Sequence, residues 1–338
     1  MTTISVTVLM PVFNGAAYLH EAVESILAQT LANFEFLIVD DASTDATPEI
    51  LRRYASRDER IRILTNRHNM ERSVSRNKAI DLARSELIAV MDADDVSLPD
   101  RFEKQVAFMR ANPDVVVVGG HRLLYESGVV LKAPLTDGAI RVVLFWMSPF
   151  CHSSAMLRRS PCLRTGGYRQ EYVPSEDYDL WCRLAAMTGW RFANLDEVLL
   201  RYREHPGVDR NEYRARQNAV SLSISRAYLL DLGMSEDELD MEAHAVLGGR
   251  ADPGSAPLSR VCNWAERLIR FNAEKGICAP EAFSALCRER LRDNSIRAPW
   301  LPPGVKKYIP ATVKAAVKKA CLFCRKKMSG NHDVKPNL

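Results

Sequence analysis

Acidic side chains gather at three points of this chain, and each cluster is expected where a strand ends. Asp40 and Asp41 follow the apolar run EFLIV, residues 92–95 (DADD) follow LIAVM, and Glu176 and Asp177 open the segment EDYDLW. In an open α/β sheet, ligands bind at the carboxyl ends of the strands. Carboxylates collected there can hold a divalent cation, bind a ribose or a base, or remove a proton. One Asp-Asp pair alone is ordinary turn composition, so the inference depends on all three clusters.

The first half of the chain alternates predicted strands and helices, the pattern of a doubly wound sheet. Strands are predicted at 4–12, 35–39, 61–64, 87–91, 115–120, 154–158, 191–194 and 198–203. Helices are predicted at 19–27, 73–84, 99–111, 137–147 and 177–188, with a hairpin at 121–132 and a helical region at 211–295. Thr47 is expected as the N-cap of a further helix, with Pro48 at its first position. The first two acidic clusters would therefore end two strands of one sheet.

Composition places the chain among soluble globular proteins, with 47% hydrophobic and 26% charged residues. Its 338 residues are enough for one large α/β domain of roughly 200–220 residues and an appendage. No apolar run approaches the ~20 residues of a membrane span, and MTTISVTVLM reads as a first strand rather than a signal peptide. Eight cysteines without a framework spacing indicate reduced thiols and a cytoplasmic protein.

The N-terminal VTVLMPVFNGAAYL, followed by the three acidic clusters, resembles the family 2 glycosyltransferases. These enzymes transfer a sugar from a nucleotide donor on a GT-A fold, a Rossmann-like doubly wound mixed sheet. The resemblance covers residues 4 to about 205. It implies an α/β chain with a GT-A domain at 1–207 and a C-terminal helical extension at 208–298. A Pro-rich break and a basic amphipathic tail follow at 299–338.

The resemblance implies a nucleotide site at the ends of the first two strands. The turn containing Pro11, Phe13 and Asn14 would clasp the nucleobase, with Phe13 against the base; a simple core position for Phe13 is the alternative. Asp41 matches the carboxylate that accepts a hydrogen bond from the base, whereas Asp40 is expected to be a buried structural partner.

Two further residues near this site each have two possible roles. Arg76, with Asn77, corresponds to the family's arginine-asparagine pair that supports the nucleotide side of the pocket, although a solvated helix face would give the same pattern. Asp45 is expected to be a turn or capping group rather than a ligand.

The motif VMDADD at 90–95 predicts a cation site. In extended geometry Asp92 and Asp94 point to different sides of the turn. The two phosphates of a nucleotide sugar must be neutralised as the sugar bond breaks, so a hard Mg²⁺ or Mn²⁺ ion is expected. The family pattern makes Asp94 the metal ligand and Asp92 the ribose or secondary ligand. Asp95 either supports the site or caps the next helix.

The catalytic base and the remaining site residues also follow from the resemblance. The helix-opening ED of these enzymes supplies the base, which places this role on Asp177 and leaves Glu176 to orient it or contact the acceptor; helix capping is the plain alternative. His152 would line the acceptor side or be a satisfied core histidine. In RYREH, His205 could complete the metal shell or contact the diphosphate, and Arg203 could offset leaving-group charge.

The tail has a different chemistry. Residues 301–338 contain nine Lys or Arg and one Asp, although the whole chain has a net charge of only +4. A helix at about 311–327 would carry one apolar stripe flanked by basic residues, which is typical of an interfacial membrane anchor. Docking of this helix on the protein's own acidic body is the alternative. No aromatic platform accompanies the charge, so no nucleic-acid partner is expected.

Together these features predict a metal-dependent, inverting glycosyltransferase whose donor is a nucleotide-diphosphate sugar, with UDP as the first expectation. The acceptor would be a lipid-linked or growing glycan in bacterial surface polysaccharide synthesis, at the cytoplasmic face of the inner membrane if the tail binds lipid. A nucleotidyltransferase is disfavoured because PVFNGAAYL has no basic residue for a triphosphate. A catalytically inactive glycan-binding module is disfavoured because every position of the expected site is filled.

Overall fold

The computed structural model describes residues 4–204, 210–252 and 254–292. The chain separates into two compact units, Met1–Tyr228 and Leu229–Leu338. The first unit is a mixed α/β structure and the described part of the second is helical. The boundary between the units lies beyond the predicted domain limit at residue 207, and the predicted three-part division of the chain remains a prediction.

The described residues form one nine-stranded sheet. Its strands are β1 (Val6–Val12), β2 (Phe34–Asp40), β3 (Ile61–Thr65), β4 (Leu87–Val90), β5 (Val96–Ser97), β6 (Val115–Leu124), β7 (Val130–Leu131), β8 (Met156–Arg158) and β9 (Arg191–Tyr202). The order is β3-β2-β1-β4-β8-β6-β9-β5, with β7 paired to β6. Strands β1 to β4 run parallel to one another, whereas β8 runs antiparallel to both β4 and β6. The predicted mixed, doubly wound sheet is confirmed.

Helices cover the sheet of the first unit and make up the described part of the second. In the first unit they are α1 (Leu19–Leu27), α2 (Thr47–Ala55), α3 (Glu71–Leu82), α4 (Arg101–Ala111), α5 (Asp137–Leu144), α6 (Arg159–Arg164) and α7 (Glu176–Ala186). Helix α8 (Arg210–Asp231) crosses the boundary, and α9 (Met241–Leu247), α10 (Leu258–Lys275) and α11 (Pro280–Arg292) follow. Within the described ranges, no helix has both the length and the apolarity needed to cross a membrane.

Apolar periodicity explains why these segments pack as they do. All seven residues of β2 are buried, as expected of a strand covered on both faces of a parallel sheet. On α1 the buried residues Leu19, Ala22, Val23 and Ile26 recur at helical spacing and join the core around β1 and β2. A Leu, Val or Ile side chain contributes ~1.5–3 kcal/mol when fully buried. This packing fixes the strand ends, and therefore the site that lies at them.

The strand order creates a crevice at the carboxyl end of β1. From β1 the sheet extends to β2 on one side and to β4 on the other, the arrangement at which open α/β sheets bind ligands. Val12 at the end of β1 pairs with Asp40 at the end of β2, and its carbonyl accepts a hydrogen bond from the Asp41 amide at 2.8 Å. The turn after β1 and the first acidic cluster therefore lie side by side.

Two local predictions are wrong. Thr47 is not the N-cap of α2, because Ala46 holds that position. The Asp45 carboxylate accepts a hydrogen bond from the Thr47 amide, and the Thr47 hydroxyl accepts one from the Gly15 amide at 2.9 Å. The segments 191–194 and 198–203 are not separate strands. They form the single strand β9, because register shifts against β6 absorb the irregularity between them.

Candidate active site

A cleft of about 610 Å³ opens at the carboxyl ends of β1, β2 and β4. Its walls come from three strand ends and from α3 and α8. The lining residues are Pro11, Val12, Phe13, Asn14, Gly15, Tyr18, Asp41, Asn69, Glu71, Arg72, Arg76, Asp92, Ala93, Asp94, Val173 and Arg216. The sequence-predicted nucleotide and metal residues in the first 94 positions therefore all reach one cavity.

The turn after β1 is tied to the loop after β2. The Asn14 side-chain oxygen accepts a hydrogen bond from the Thr44 amide at 2.8 Å, and the Asn14 amide donates to the Ser43 hydroxyl at 2.9 Å. Phe13 is 48% exposed and lines the cleft. The core alternative for Phe13 is therefore excluded, and its ring is accessible as an aromatic wall.

Asp41 is held in place at the floor of the cleft. It is only 3% exposed, and its Oδ1 accepts from Asn66 Nδ2 at 2.6 Å and from the Met70 amide at 2.9 Å. Asp40 is also buried and accepts from the Ser43 amide at 3.0 Å, as expected of a structural partner. Asp45 accepts from the Ala16 and Thr47 amides, the bonding of a turn residue, whereas the N-cap of α2 is Ala46.

Backbone strain is concentrated beside this cleft. Within the described ranges, the non-glycine residues with positive φ are Asn14 (51°), Ala42 (64°) and Glu71 (65°). Asn14 and Glu71 line the cleft, and Ala42 follows Asp41. A left-handed backbone is unfavourable for residues such as alanine and glutamate, and such strain gathers at functional sites. The packing of the surrounding fold holds these three conformations.

Arg76 is the buried link between the second and third acidic clusters. It is 2% exposed, and its guanidinium donates to Asp92 at 2.8 Å and to Glu176 at 2.6 Å. The other oxygen of Asp92 accepts from the Ser153 hydroxyl at 2.8 Å. Although burial opposes ionisation, the Arg76 guanidinium holds the pKa of Asp92 below its ordinary value. Asp92 is therefore an oriented carboxylate anion.

Asp94 and Asp95 differ in their surroundings. Asp94 is half-buried and lines the cleft. Asp95 is 1% exposed, and burial together with the charges of Asp94 and Asp92 raises its pKa well above the ordinary value. Its Oδ1 accepts from the Arg203 amide at 2.9 Å. Asp95 thus supports the end of β9 behind the cleft.

Arg203 braces the loop after β4. Its Nε donates to the Asp94 carbonyl at 2.9 Å, and its guanidinium lies over the rings of Tyr18 and Tyr125 at 4.4 and 4.1 Å. It also pairs with Glu21. Through these contacts Arg203 holds the loop that contains Asp94. Its contact with a diphosphate stays a prediction. His205 lies outside the described residues.

The residues at the cleft suit a cation that takes part of its ligands from the substrate. Among the described residues, no group of three or more His, Cys, Asp or Glu side chains converges on a potential metal position. Asp94 and Asp92 nevertheless both reach the cleft. Mg²⁺ is commonly bound through one or two carboxylates together with substrate phosphates and water. The donor set therefore fits such a shared site rather than a cage made only of protein.

Asp177 has the properties of a base near neutral pH. It lies in the first turn of α7, and its Oδ2 accepts from the Ser148 hydroxyl at 2.9 Å. Burial, followed by the adjacent Glu176 carboxylate, raises the pKa of Asp177 to about 6, and the Ser148 hydrogen bond opposes this rise. A general base is most effective when its pKa lies near the working pH. Glu176 connects α7 to the cleft through Arg76.

His152 and Asn77 have structural roles. His152 Nε2 lies 2.8 Å from the Tyr168 hydroxyl, and burial together with the Arg76 charge lowers its pKa to about 3, so it is a satisfied neutral histidine. The side-chain Nδ2 of Asn77 donates to the Tyr168 backbone carbonyl, and its Oδ1 accepts from the Tyr168 backbone N–H, both at 2.8 Å. The preceding Gly167 has φ +71°, and a Cβ there would lie 2.4 Å from Asn77 Oδ1, so this turn requires glycine.

Several site residues have no signal in the sequence. The hydroxyls of Ser148 and Ser153 donate to the carboxylates of Asp177 and Asp92, but serines before a strand are common. Arg72 and Arg216 line the cleft from helices whose basic residues resemble any solvated face. Contacts across the fold, and not local pattern, identify them.

The comparisons with known proteins agree with this geometry. Residues 7–165 match the family model described as Glycosyl transferase family 2. The O-antigen biosynthesis glycosyltransferase WbnJ of Escherichia coli is 35% identical over 224 residues, which cover 65% of this chain and 87% of WbnJ. Among solved structures, the mannosyltransferase PcManGT of Pyrobaculum calidifontis, in complex with GDP-Man and Mn²⁺, has a TM-score of 0.55 at 20% identity and covers 86% of this chain and 87% of its own.

S. aureus TarS 1–349, in complex with UDP-GlcNAc, has a TM-score of 0.58 at 14% identity and covers 98% of this chain and 93% of its own. These two likenesses establish the GT-A fold. The match to the family model and the extent of the similarity to WbnJ identify the family: the chain belongs to the family 2 glycosyltransferases.

Proposed function

We propose that this glycosyltransferase moves a sugar from a nucleotide-diphosphate donor to a hydroxyl of a glycan or lipid-linked acceptor, with inversion at the anomeric carbon. One observation carries the proposal. A single cleft brings the turn at 11–14 and Asp41 together with Asp92 and Asp94, and Arg76 and Glu176 join that cleft to the helix that bears Asp177.

The nucleotide would bind at the end of β1. The exposed ring of Phe13 offers a stacking surface, and the fixed carboxylate of Asp41 offers an acceptor for a base N–H. A uracil N3–H suits that acceptor, so a UDP-sugar is the first expectation. TarS binds UDP-GlcNAc and PcManGT binds GDP-Man, which supports a nucleotide sugar as donor and leaves the base to be measured.

Replacing Phe13 by alanine should weaken nucleotide binding without loss of stability. Stacking of a base on an aromatic side chain is worth ~1–3 kcal/mol, which corresponds to roughly fivefold to a hundredfold in Kd. Isothermal titration of Phe13→Ala with the preferred nucleotide diphosphate measures the change. Tyr213→Ala, another exposed aromatic outside the cleft lining, is the control. Equal affinities of Phe13→Ala and the wild type would remove Phe13 from the base site.

Asp94, with Asp92 beside it, would hold Mg²⁺ or Mn²⁺. When bound, such an ion neutralises charge that develops on the departing diphosphate. Asp92 already accepts hydrogen bonds from Arg76 and Ser153, so its orientation is fixed before any ligand arrives. Asp92 and Asp94 are both half-buried, and both line the cleft.

Asp177 would act as the general base. Its carboxylate takes the proton of the acceptor hydroxyl, whose oxygen then bonds to the anomeric carbon from the face opposite the diphosphate. The bond between the sugar and the diphosphate oxygen breaks, and its electron pair leaves with the nucleotide diphosphate. With a pKa near 6, Asp177 is largely ionised at neutral pH and still basic enough to assist. General-base assistance is worth ~10²–10⁴-fold.

The biological setting is proposed by analogy. The name of WbnJ refers to O-antigen biosynthesis, which supports a bacterial surface glycan as the acceptor class. A reaction in the cytoplasm is a further part of the proposal. Attachment of the predicted basic helix at 311–327 to anionic lipid is part of this proposal, and these residues lie outside the described ranges. An inactive glycan-binding module would share the fold but would not turn over a donor.

A thermal-shift panel of UDP-, GDP-, dTDP- and CDP-sugars with Mn²⁺ tests the donor class. A ligand that binds only the folded state stabilises it by about 2.7 kcal/mol at a hundred times its Kd, so one base should raise the melting temperature clearly above the others. The matching nucleosides serve as controls for binding of the base alone. A melting temperature that no nucleotide sugar changes would contradict the proposed donor class.

A further inference from the structure

We infer that Arg72 and Arg216 form a cationic pair that binds the diphosphate of the donor. This inference rests on the proposed function and adds two recognition residues to it. Neither residue belongs to a motif of the sequence, and they come from different helices. Arg72 is the second residue of α3, and Arg216 lies on α8. Both line the catalytic cleft.

The third arginine of the cleft cannot serve this purpose. Both terminal nitrogens of Arg76 are committed, one to Asp92 at 2.8 Å and the other to Glu176 at 2.6 Å, and its side chain is 3% exposed. Because each contact is a short ion pair made by a buried guanidinium, turning Arg76 toward a ligand would leave the carboxylates of Asp92 and Glu176 without their cation. Arg76 therefore balances charge within the protein.

Arg72 and Arg216 retain their binding capacity. The Arg72 side chain is 47% exposed, and its ion pair with Glu176 is long at 3.7 Å. Glu176 is already paired more closely with Arg76. Arg216 is exposed, and no ion pair joins it to another residue in the part of the chain that the structure describes.

The charge of the cleft makes such cations necessary. Four carboxylates line it: Asp41, Glu71, Asp92 and Asp94. Of these, Asp92 is neutralised by Arg76, so acidic charge remains where a ligand with two phosphates would enter. Guanidinium groups match phosphate oxygens with paired N–H donors, and charge-assisted hydrogen bonds are stronger than neutral ones. Two exposed arginines from two different helices of the cleft lining supply this complement.

The experiment compares nucleoside mono- and diphosphates of the base selected by the thermal-shift panel. Isothermal titration in Mn²⁺ gives the ratio of the monophosphate Kd to the diphosphate Kd for each full-length protein. We expect this ratio to fall about tenfold in Arg216→Gln and further in the double variant Arg72→Gln/Arg216→Gln, because a lost charge-assisted hydrogen bond costs roughly tenfold or more in affinity. Arg214→Gln removes an equal charge from an exposed position on α8 outside the cleft lining and should leave the ratio unchanged.

The outcomes separate the inference from the proposed function. If Arg216→Gln and the double variant keep the wild-type ratio, the cationic pair is overturned and the donor class stays intact. The same result is expected if the arginines bind an anionic acceptor instead of the donor diphosphate. An equal fall in Arg214→Gln overturns the pair as well, because the effect would then be general surface charge. A wild type that binds no nucleoside diphosphate overturns the proposed function and this inference with it.

Discussion

Asp177→Asn should lower turnover of the donor by about 10²–10⁴-fold, the worth of general-base assistance, while donor binding and folding survive. Asparagine is nearly isosteric and keeps an oxygen that can accept from the Ser148 hydroxyl, but it cannot take a proton. Initial rates and the Kd for the donor are measured side by side. A kcat that falls with an unchanged donor Kd identifies an interaction made only in the transition state.

The wild-type pH profile provides the second half of this test. Because burial and Glu176 raise the pKa of Asp177 to about 6, its basic form is lost as the pH falls through that value. The rate should therefore drop tenfold per pH unit below about 6 and level off above it. Ser148→Ala removes a hydrogen bond that favours the carboxylate, so its acid limb should move to higher pH. Glu171→Gln, an exposed carboxylate in the turn before α7, is the control. An Asp177→Asn variant that retains more than about a tenth of the activity would show that Asp177 is not the base.

Asp94→Asn should make donor binding independent of the divalent ion. In the wild type we expect the Kd for the nucleotide sugar to rise at least about tenfold when EDTA replaces Mn²⁺, because charge on the diphosphate is then opposed by the acidic cleft. In Asp94→Asn the two Kd values should coincide at the weaker one. Glu71→Gln removes a carboxylate from the same cleft lining and should keep the metal dependence. Wild-type binding that is equal in Mn²⁺ and in EDTA would end the metal proposal.

The sequence predicts the frame of this site well for a physical reason. Strand ends are marked by local signals, an apolar run followed by acidic residues, and Asp41, Asp92 and Asp94 all stand at such ends. Parallel strands of one sheet bring their carboxyl ends to one edge, so local pattern and topology together place these residues in one cleft. The strand order and the cleft lining confirm this step.

The rest of the site depends on contacts that local pattern does not contain. Arg76 and Glu176 are separated by a hundred positions along the chain, and a buried ion pair over that distance leaves no periodic signal. On pattern alone Arg76 could equally be a solvated side chain. Phe13 is ambiguous for a similar reason: only its 48% exposure in the folded chain separates an accessible ring from a core ring. The pKa of Asp177 likewise depends on burial that the fold creates.

The stereochemistry of donor cleavage tests the central claim most directly and needs no knowledge of the acceptor. With water as the acceptor, an inverting enzyme that uses Asp177 should release the sugar of an α-linked nucleotide donor first as the β anomer, and ¹H NMR of the fresh reaction distinguishes the two. We predict the β anomer as the initial product of the wild type and a loss of this signal in Asp177→Asn. Initial release of the α anomer, or equal release by the Asp177→Asn variant, would contradict the account.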